Sequence, residues 1–388
     1  MIETKFKRTE VGLIPEDWDI VSVAEVGDVI TGSTPSTNIP KYYGNEFCFV
    51  SPFDLGYNKY IDSTNKNLTY LGLSVSRKIP KGSILYTCTG STIGKIGIAN
   101  KLLTTNQQIN SIVVNSSFSN EFVYYAIQTR KEDIKKMAAV QAVPLITKGN
   151  FSKAKFACPN TPAEQKRIAT ALSDIDDLIS SMRKLIEKKK NIKTGVMQEL
   201  LSGKKRLKGF TGVWNTVETL RISGKIKRGQ TLKSEDFCNG NVPVVAGGKK
   251  YAGYHNVPNQ IGRTVTISGS GANAGYIAIH QVPIFATDCS VISESESFSL
   301  DFLFYLLSFR QEDIYKLQTG GAQPHVYPRD VESMIISIPS AKDEQEAIAK
   351  VLSDIDAEIE QLEMRLTKYE DIKQGMMQQL LTGKIRLI

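Results

Sequence analysis

The chain has 388 residues, a hydrophobic fraction of 41% and a formal net charge of +8, and this length suggests two or more domains. It has no run of about 18 apolar residues and no apolar core near its N-terminus, which argues against a membrane span and a secretory signal. Its five cysteines are scattered without a CxxC pair, so we expect a cytoplasmic protein with buried thiols, without zinc or disulfides.

The first 160 residues carry the pattern of a small mixed α/β domain. Short runs of β-branched and aromatic residues between turn residues predict strands at Phe47–Val50, Gly82–Thr87, Ile96–Ala99 and Ser111–Val114. A single helix is predicted over Asn120–Met137. The loops are rich in Gly, Ser, Thr, Asn, Gln, Lys and Tyr, residue types that contact phosphates and base edges in protein–DNA complexes.

A glycine-rich segment, Gly90–Ile96, resembles a phosphate-binding loop. It has one residue too few between its glycines and lacks the Ser or Thr that follows the lysine in such loops. The similar segment Gly269–Gly275 has no lysine at all. We therefore predict tight turns between strands at both places.

A long helix is predicted to begin at Thr161-Pro162. Thr161 is a suitable N-cap, proline is favoured at the first helical position, and Glu164 completes a capping box. Apolar residues follow in alternating steps of four and three, the spacing of a coiled-coil seam, at Ile168, Leu172, Ile175, Ile179, Met182 and Ile186. The phase slips near Lys188–Lys190, a run that either contacts phosphates or forms a solvated face. Gly203 is expected to end the helix.

Residues 208–339 repeat the variable mixed α/β plan. Strands and one helix are predicted at Thr264–Ile267, Tyr276–Ile279, Ser290–Ile292 and Leu300–Leu317. All three histidines, His255, His280 and His325, lie in this half, and none has a second ligand at short spacing, so no metal site is predicted. Because residues 1–160 contain no histidine, a duplicated histidine-based active site is excluded.

A second long helix is predicted to begin at Ser340. Its apolar residues repeat the coiled-coil spacing at Ile348, Leu352, Ile355, Ile359, Leu362 and Leu366, and Gly383 is expected to end it. Residues 342–388 carry a net charge of −3, whereas residues 163–207 carry +5. We expect the two helices to pair as a coiled coil; the alternative is two separate helices that each pack on their own domain.

The two halves of the chain are copies of one arrangement. Pro-x4-Glu-Gln, Leu-Ser-Asp-Ile-Asp and Leu-Leu-[Ser/Thr]-Gly-Lys-x-Arg-Leu each occur twice, at a constant offset of 180 residues from Pro159 to Pro339 and from Leu207 to Leu387. A repeat of this length indicates a duplicated domain rather than a solenoid unit. The sequence therefore predicts an α+β fold in which two small mixed α/β domains are joined by two long helices, with a pseudo-twofold internal repeat.

These motifs resemble the specificity subunits of type I restriction–modification systems. The resemblance spans the chain and includes Thr9-Glu10-x-Gly12-x-Ile14-Pro15-x-Asp17-Trp18 near the start, together with the twin segments above. It implies that the helices form an antiparallel coiled coil and that the variable halves are target-recognition domains for the two halves of a split DNA site. The implied domains are target-recognition domain 1 (1–160), a helical spacer (161–207), target-recognition domain 2 (208–339) and a second spacer (340–388).

The resemblance also implies a division of labour with partner subunits. The helices would dock methyltransferase subunits, two of them for each chain, and a restriction subunit is a further possible partner. S-adenosylmethionine, ATP and Mg are implied only through those partners, and this chain is expected to be a non-catalytic subunit that binds no cofactor itself. Double-stranded DNA is the expected ligand, and no membrane is implied.

Polar and basic residues of the loops are the candidates for DNA contact, with Lys and Arg on phosphates and the other side chains on bases. In the first domain they are Ser33, Lys41, Tyr42, Lys59, Thr92, Lys95, Asn106 and Gln107. In the second domain they are Lys227, Arg228, Lys249, Lys250, Tyr254, His255, Arg263, Ser270 and Asn273. Each of these residue types is also common in surface turns without any ligand.

Two other classes of function remain open at the level of sequence. A coiled-coil adaptor with two duplicated domains would show no sequence-selective DNA binding in the presence of its partners. A self-contained enzyme would methylate or cleave DNA alone, although the sequence contains no constellation of catalytic residues.

Overall fold

The computed structural model describes residues 4–139, 142–219, 223–224, 226–233 and 238–388. Contacts within the chain divide it into two units. Unit 1 comprises residues 1–182 together with 365–388, and unit 2 comprises residues 183–364. Each unit therefore contains one variable half and a part of both long helical segments.

The strands of unit 1 are short, as the closely spaced turn residues predict. They are β1 (Phe6–Thr9), β2 (Gly12–Pro15), β3 (Trp18–Ser22), β4 (Gly27–Thr31), β5 (Tyr43–Gly44), β6 (Phe47–Val50), β7 (Tyr60–Ile61), β8 (Asn67–Leu68), β9 (Lys78–Ile79), β10 (Ile84–Thr87), β11 (Ile96–Ala99), β12 (Leu103–Thr105), β13 (Ile109–Val114) and β14 (Lys155–Pro159). One five-stranded sheet has the order β4-β13-β10-β11-β7 and another has the order β5-β8-β6-β12-β9. Hairpin β1–β2 and the pair β3–β14 stand apart from these sheets.

The helices of unit 1 are α1 (Val23–Val26), α2 (Tyr70–Ser74), α3 (Asn120–Thr129), α4 (Lys131–Lys136), α5 (Lys148–Ser152) and the first part of α6 (Pro162–Leu200). Strand β10 is buried along its whole length because it is covered on both faces. Ile84 and Tyr86 belong to the core that α3 covers, whereas Leu85 belongs to the core shared with β6 and β12. This alternation is the period of two expected for a strand between two layers.

Unit 2 repeats this plan with fewer strands in its described residues. The strands are β15 (Trp214–Glu218), β16 (Lys227–Arg228), β17 (Val242–Val245), β18 (Gly253–His255), β19 (Thr264–Ser268), β20 (Ile277–His280), β21 (Phe285–Ala286), β22 (Cys289–Ser293) and β23 (Ile335–Pro339). The helices are the second part of α6, then α7 (Leu300–Phe309), α8 (Gln311–Tyr315), α9 (Pro328–Glu332) and most of α10 (Lys342–Leu380). The sheets have the orders β16-β22-β19-β20 and β18-β17-β21, and β15 pairs with β23.

The prediction of one continuous helix at Asn120–Met137 and at Leu300–Leu317 is wrong. Each helix is broken at an arginine, Arg130 or Arg310, whose backbone leaves the helical region at ψ 10° and ψ 17°. The side chain of Arg130 donates to the carbonyl of Val11 and lies 3.1 Å from Asp133. Arg310 likewise contacts Asp313 and the carbonyl of Ile335. Neither break contains a Gly or Pro, and at both breaks the arginine side chain donates to a backbone carbonyl distant in the chain.

The long helices pack antiparallel in unit 1. The carboxylate of Asp176 lies 2.6 Å from Nζ of Lys373, and Glu164 near the start of α6 binds Arg386, which follows the end of α10. Ile168 and Leu172 of α6 share a core with Leu380 and Leu381. Ile179 and Met182 are also buried, whereas Ile175 and Leu366 are half-buried. The predicted seam and its antiparallel direction are confirmed here.

The same pairing occurs within unit 2. Ile348 and Leu352 share a core with Leu200 and Leu201. Ile186, Ile359 and Leu362 are buried and Ile355 is half-buried, in agreement with the predicted seam.

The lysine run supports this pairing. Lys189 and Lys190 form ion pairs with Glu358 and Glu363, and Lys193 forms one with Asp356. The opposite charges of the two helical segments are therefore complementary across the seam.

The ends of the helical segments differ from the predictions in one detail. Thr161 accepts from the backbone N–H of Glu164, as an N-cap does. The carboxylate of Glu164 is bound by Arg386 and not by the backbone of Thr161, so the second half of the predicted capping box is replaced by an ion pair. Gly203 and Gly383 follow the helices with φ near +70°, as their predicted role as helix stops requires.

Candidate nucleic-acid interface

Several strands of unit 1 end at one edge of the domain. Hydrogen bonds connect the segments that leave these strands: Ser33 N–H donates to the carbonyl of Thr105, Asn106 N–H to Val50, and Cys88 N–H to Gln108. Nζ of Lys95 reaches the carbonyl of Pro52 at 3.1 Å. The segments 32–34, 51–58, 88–95 and 106–108 therefore lie together, and we call them the unit 1 edge.

The unit 1 edge contains five of the eight candidates of the first domain, namely Ser33, Thr92, Lys95, Asn106 and Gln107. The side chains of Thr34 and Gln107 are hydrogen-bonded at 2.5 Å, and Asn106 donates to Gln108 at 2.9 Å. The turn predicted at Gly90–Ile96 is confirmed: it joins the antiparallel strands β10 and β11, and Gly90 and Gly94 adopt positive φ. The edge is polar and held in place by its own hydrogen bonds.

The other three candidates of the first domain lie elsewhere. Lys41 and Tyr42 form a 3-10 turn beside α2, where the carbonyl of Lys41 accepts from Thr69. Lys59 points into the domain: its side chain is only 10% exposed and lies 3.4 Å from Glu121. Its ammonium also donates to Ser173 and lies 4.8 Å from the ring centre of Tyr125. Burial lowers the pKa of Lys59, and Glu121 opposes that shift.

Unit 2 forms an edge in the same way. Thr287 N–H donates to the carbonyl of Val245, Gly229 N–H to Cys289, and Gly269 N–H to Asp288. The side chain of Ser268 donates to Gly247 at 2.8 Å. The segments 229–230, 246–252, 269–275 and 287–288 thus lie together as the unit 2 edge.

The unit 2 edge contains Lys249, Lys250, Ser270 and Asn273. Lys249 and Lys250 are exposed, and the ammonium of Lys249 lies 5.2 Å from the ring centre of Tyr276. Ser270 is hydrogen-bonded to Asp288, which also lies 3.8 Å from Arg228. Lys227 and Arg228 are exposed on β16, which runs into this edge. The turn predicted at Gly269–Gly275 is confirmed, with positive φ at Gly271 and Gly275.

Three candidates of the second domain do not belong to this edge. Tyr254 and His255 lie on β18, opposite Pro243 and Val242 at the start of β17, away from the Lys249 loop. Arg263 precedes β19 and contacts Asp301 and Glu294, so its charge is neutralised within the unit.

In each unit, a tyrosine of the variable half contacts an aspartate–lysine ion pair between the long helices. In unit 1 the hydroxyl of Tyr125 donates to Asp176 at 2.6 Å, and Asp176 pairs with Lys373. In unit 2 the hydroxyl of Tyr305 donates to Asp356 at 2.8 Å, and Asp356 pairs with Lys193. Burial, followed by the hydrogen bond to the aspartate, raises the pKa of both tyrosines, so their hydroxyls stay protonated donors.

Three residues of the edges are not among the candidates from the sequence: Asp288 of the unit 2 edge, and the aromatic residues Phe53 and Tyr57 of the unit 1 edge. Phe53 and Tyr57 lie in the loop that follows β6, and this position is the one sequence signal that indicates them. Among the described residues, no group of three or more His, Cys, Asp or Glu side chains is arranged to hold a metal ion. Within the same residues, no helix combines the length and apolar character needed to cross a membrane.

Comparison with known proteins gives a consistent result. A family model described as "Type I restriction modification DNA specificity domain" matches residues 15–191 and 216–368. The MjaIX specificity subunit of a type I restriction enzyme from Methanocaldococcus jannaschii is 28% identical over 87% of this chain and 86% of its own length. The MjaVIII specificity subunit from the same organism is 25% identical over 99% of this chain and 97% of its own length.

Solved structures show the same fold. The S subunit of a type I restriction–modification system from M. genitalium has a TM-score of 0.67 and 19% identity, and covers 97% of this chain and 98% of its own. Because the family model covers most of both halves, the chain belongs to the family of type I restriction–modification DNA specificity domains.

Proposed function

We propose that this chain reads a bipartite DNA target, with the unit 1 edge on one half-site and the unit 2 edge on the other. The observation that carries the proposal is that the same edge is built twice from equivalent strand ends but with different side chains. Amide and hydroxyl groups dominate the first edge, and Lys249 and Lys250 stand out on the second. Two edges with the same backbone arrangement but different side chains on one chain are suited to two half-sites of different sequence.

The chemistry of each edge suits this task. Exposed lysines attract the phosphate backbone without regard to sequence, and this attraction sets the position of the protein on the duplex. Asn, Gln, Ser and Thr side chains distinguish bases through the donors and acceptors of the major groove. Asn106, Gln107 and Asn273 lie in turns of the two edges. Gln107 uses only its amide oxygen on Thr34, so its NH2 group is left to donate to a base edge.

Partner subunits supply the catalysis in this proposal. We infer that methyltransferase subunits bind this chain, two for each chain, and bring S-adenosylmethionine, while a restriction subunit brings the ATP- and Mg-dependent step. A protein with the same fold, at a TM-score of 0.59, has been solved in work on complex assembly of the type I restriction–modification system, which supports this partnership. The chain would act in the cytoplasm, where the DNA and these partners are found.

Selection of DNA by the assembled complex tests this function. The full chain is co-expressed with a methyltransferase subunit of a type I restriction–modification system that assembles with it, and the complex selects from random duplexes that are then sequenced. We expect enrichment of two defined short elements separated by a gap of fixed length and free sequence. Binding without sequence preference would contradict the proposal and favour an adaptor role.

A further inference from the structure

Phe53 and Tyr57 are the most exposed large aromatic residues of the unit 1 edge. Phe53 is 75% exposed and Tyr57 is 77% exposed. Both belong to the loop between β6 and β7, in which the intervening Leu55 is fully buried. Leu55 therefore supplies the contact with the core, and the two rings on either side of it remain in water. Two large rings in water contribute nothing to the stability of the fold by burial.

The loop that carries these rings is held rigidly. The carboxylate of Asp54 accepts from the backbone N–H of Ser51 at 2.8 Å and from that of Asn65 at 2.9 Å. Lys95 donates to the carbonyl of Pro52, and its ammonium lies 5.3 Å from the ring centre of Tyr57. The rings are presented on an ordered scaffold, so a ligand would not have to order the loop on binding.

The position of the loop indicates the ligand. The loop leaves β6 at Val50, whose carbonyl accepts from Asn106, so the rings emerge beside the polar residues proposed to read bases. Lys95 adds a positive charge at the base of the loop. Aromatic rings beside a cation and beside amide side chains form the combination that binds bases by their faces and the backbone by its charge.

The equivalent loop of unit 2 differs in chemistry. It follows β17, as the Phe53 loop follows β6. The two strands are equivalent because β6 pairs in parallel with β12 and β17 pairs in parallel with β21. In unit 2 this loop contains Gly248, Lys249 and Lys250, and its one exposed aromatic residue is Tyr251, which is 48% exposed against 75% and 77% for Phe53 and Tyr57. The aromatic pair is therefore a property of one reader and not of the general plan of the domain.

We propose that Phe53 and Tyr57 stack on bases at an opened base step in the half-site of unit 1. This inference rests on the proposed DNA-reading function and adds a mode of recognition to it. Inserting apolar rings between bases unstacks and kinks the duplex, and the energy required depends on the step. Pyrimidine–purine steps open most easily, so the first half-site is read partly through the deformability of such a step.

Alanine substitutions in the assembled complex test this inference. The variants are Phe53→Ala, Tyr57→Ala and the double variant, and the matched control is Tyr70→Ala. Tyr70 is 71% exposed but lies beside Phe47 at the opposite end of β6. Because all three side chains are exposed, each variant should fold, which thermal unfolding verifies.

The measurements are the affinity for a duplex carrying the selected target, its dependence on salt, and permanganate oxidation of thymines in the bound duplex. We expect each single variant to bind roughly 5- to 100-fold more weakly, as the loss of stacking on one base implies, and the double variant to bind more weakly than either. The slope of log K against log salt should be unchanged. Thymine oxidation at one step of the first half-site should be present with wild type and Tyr70→Ala and absent with the double variant.

The outcomes separate this inference from the proposed function. Selective binding by wild type with undiminished affinity and oxidation in the double variant would overturn the stacking role alone. A weaker affinity with a reduced salt slope would also overturn it, because the loop would then act through phosphates. A wild-type complex without sequence preference would instead overturn the proposed function, and the stacking role with it.

Discussion

Arg386 binds the buried carboxylate of Glu164, 222 positions earlier in the chain, through Nε at 2.6 Å and Nη2 at 2.9 Å. Unit 2 contains the equivalent pair, with Arg206 bound to Glu344 at 2.5 and 2.6 Å. Each arginine follows the end of one long helix and each glutamate lies in the first turn of the other. The repeat in the sequence therefore produces the same arginine–glutamate ion pair twice, once at the end of the helix pair in each unit.

Replacing Arg386 with glutamine should destabilise unit 1 strongly. The side chain of Glu164 is only 4% exposed, and its charge would remain buried without a partner. We expect the free energy of unfolding to fall by about 3–5 kcal/mol in urea titrations. Adding Glu164→Gln should restore part of this loss. The control Asp17→Asn removes the exposed partner of Arg386 and should cost less than about 1 kcal/mol; an equal loss in both would contradict this distinction.

The seam makes a separate prediction at Leu172. This residue is fully buried in the core shared with α10, whereas Leu178 on the same helix is 39% exposed. Leu172→Ala should lower the free energy of unfolding by about 2–5 kcal/mol. Leu178→Ala should change it by less than about 1 kcal/mol, since the methyl groups it loses already contact water. Similar losses for both variants would mean that the helices do not pair along the predicted face.

Lys249 and Lys250 should contribute phosphate contacts. With both replaced by alanine, we expect the assembled complex to bind DNA more weakly at every sequence. The slope of log K against log salt should fall by about one to two, since each lysine releases close to one counterion. Lys205→Ala, an exposed lysine that pairs with Glu199 at the end of the first helical segment, provides the control. An unchanged slope would remove both lysines from the interface.

Unlike Lys249 and Lys250, Lys59 should affect the stability of the protein and not the salt dependence of DNA binding, although the sequence predicts it as a DNA contact. Its removal would leave Glu121 and Ser173 without their shared donor. We expect Lys59→Ala to lower the free energy of unfolding by about 1–3 kcal/mol and to leave the salt dependence of DNA binding unchanged. A lower salt slope with unaltered stability would return Lys59 to the interface.

His280 should make unit 2 sensitive to acid. It is buried, with Nε2 2.9 Å from Oγ1 of Thr266, and burial lowers its pKa below the ordinary 6.5. The folded protein therefore binds fewer protons than the unfolded chain, so stability is retained above about pH 6.5 and lost as the pH falls further toward the folded-state pKa. Between about pH 7 and 5, the free energy of unfolding of the wild type should fall more steeply than that of His280→Asn. Parallel pH profiles would contradict this assignment.

The elements governed by local periodicity were predicted well. Strands β6 and β11 begin and end at the predicted residues, and the buried seam residues lie at the predicted heptad positions. A coiled-coil seam or a strand between turns is marked by hydrophobic periodicity over several residues, so the pattern remains visible even when one position departs from it. The breaks at Arg130 and Arg310 contain no Gly or Pro, so no local pattern marks them, and the carbonyls that these arginines contact lie far away in the chain.

The candidate site was predicted only in part, for a related reason. Composition identified residue types that bind DNA, but it did not distinguish Lys95 at the edge from Lys59 inside the domain. The sequence gives Arg263 the same standing as a candidate for DNA contact, but in the structure its charge is paired with Asp301. Exposure and ion pairing are tertiary properties, so the sequence supplied candidates and the fold selected among them.

The central claim is that each unit reads one half of a split target, and exchange of one variable half tests it most directly. Residues 208–339 are replaced by the equivalent segment of a relative, and the chain is expressed with its methyltransferase partner in a host without other methylation. Sequencing then maps the methylated bases. A bipartite reader predicts a motif in which one half changes while the other half and the gap stay the same. A single continuous motif, or a change in both halves, would contradict it.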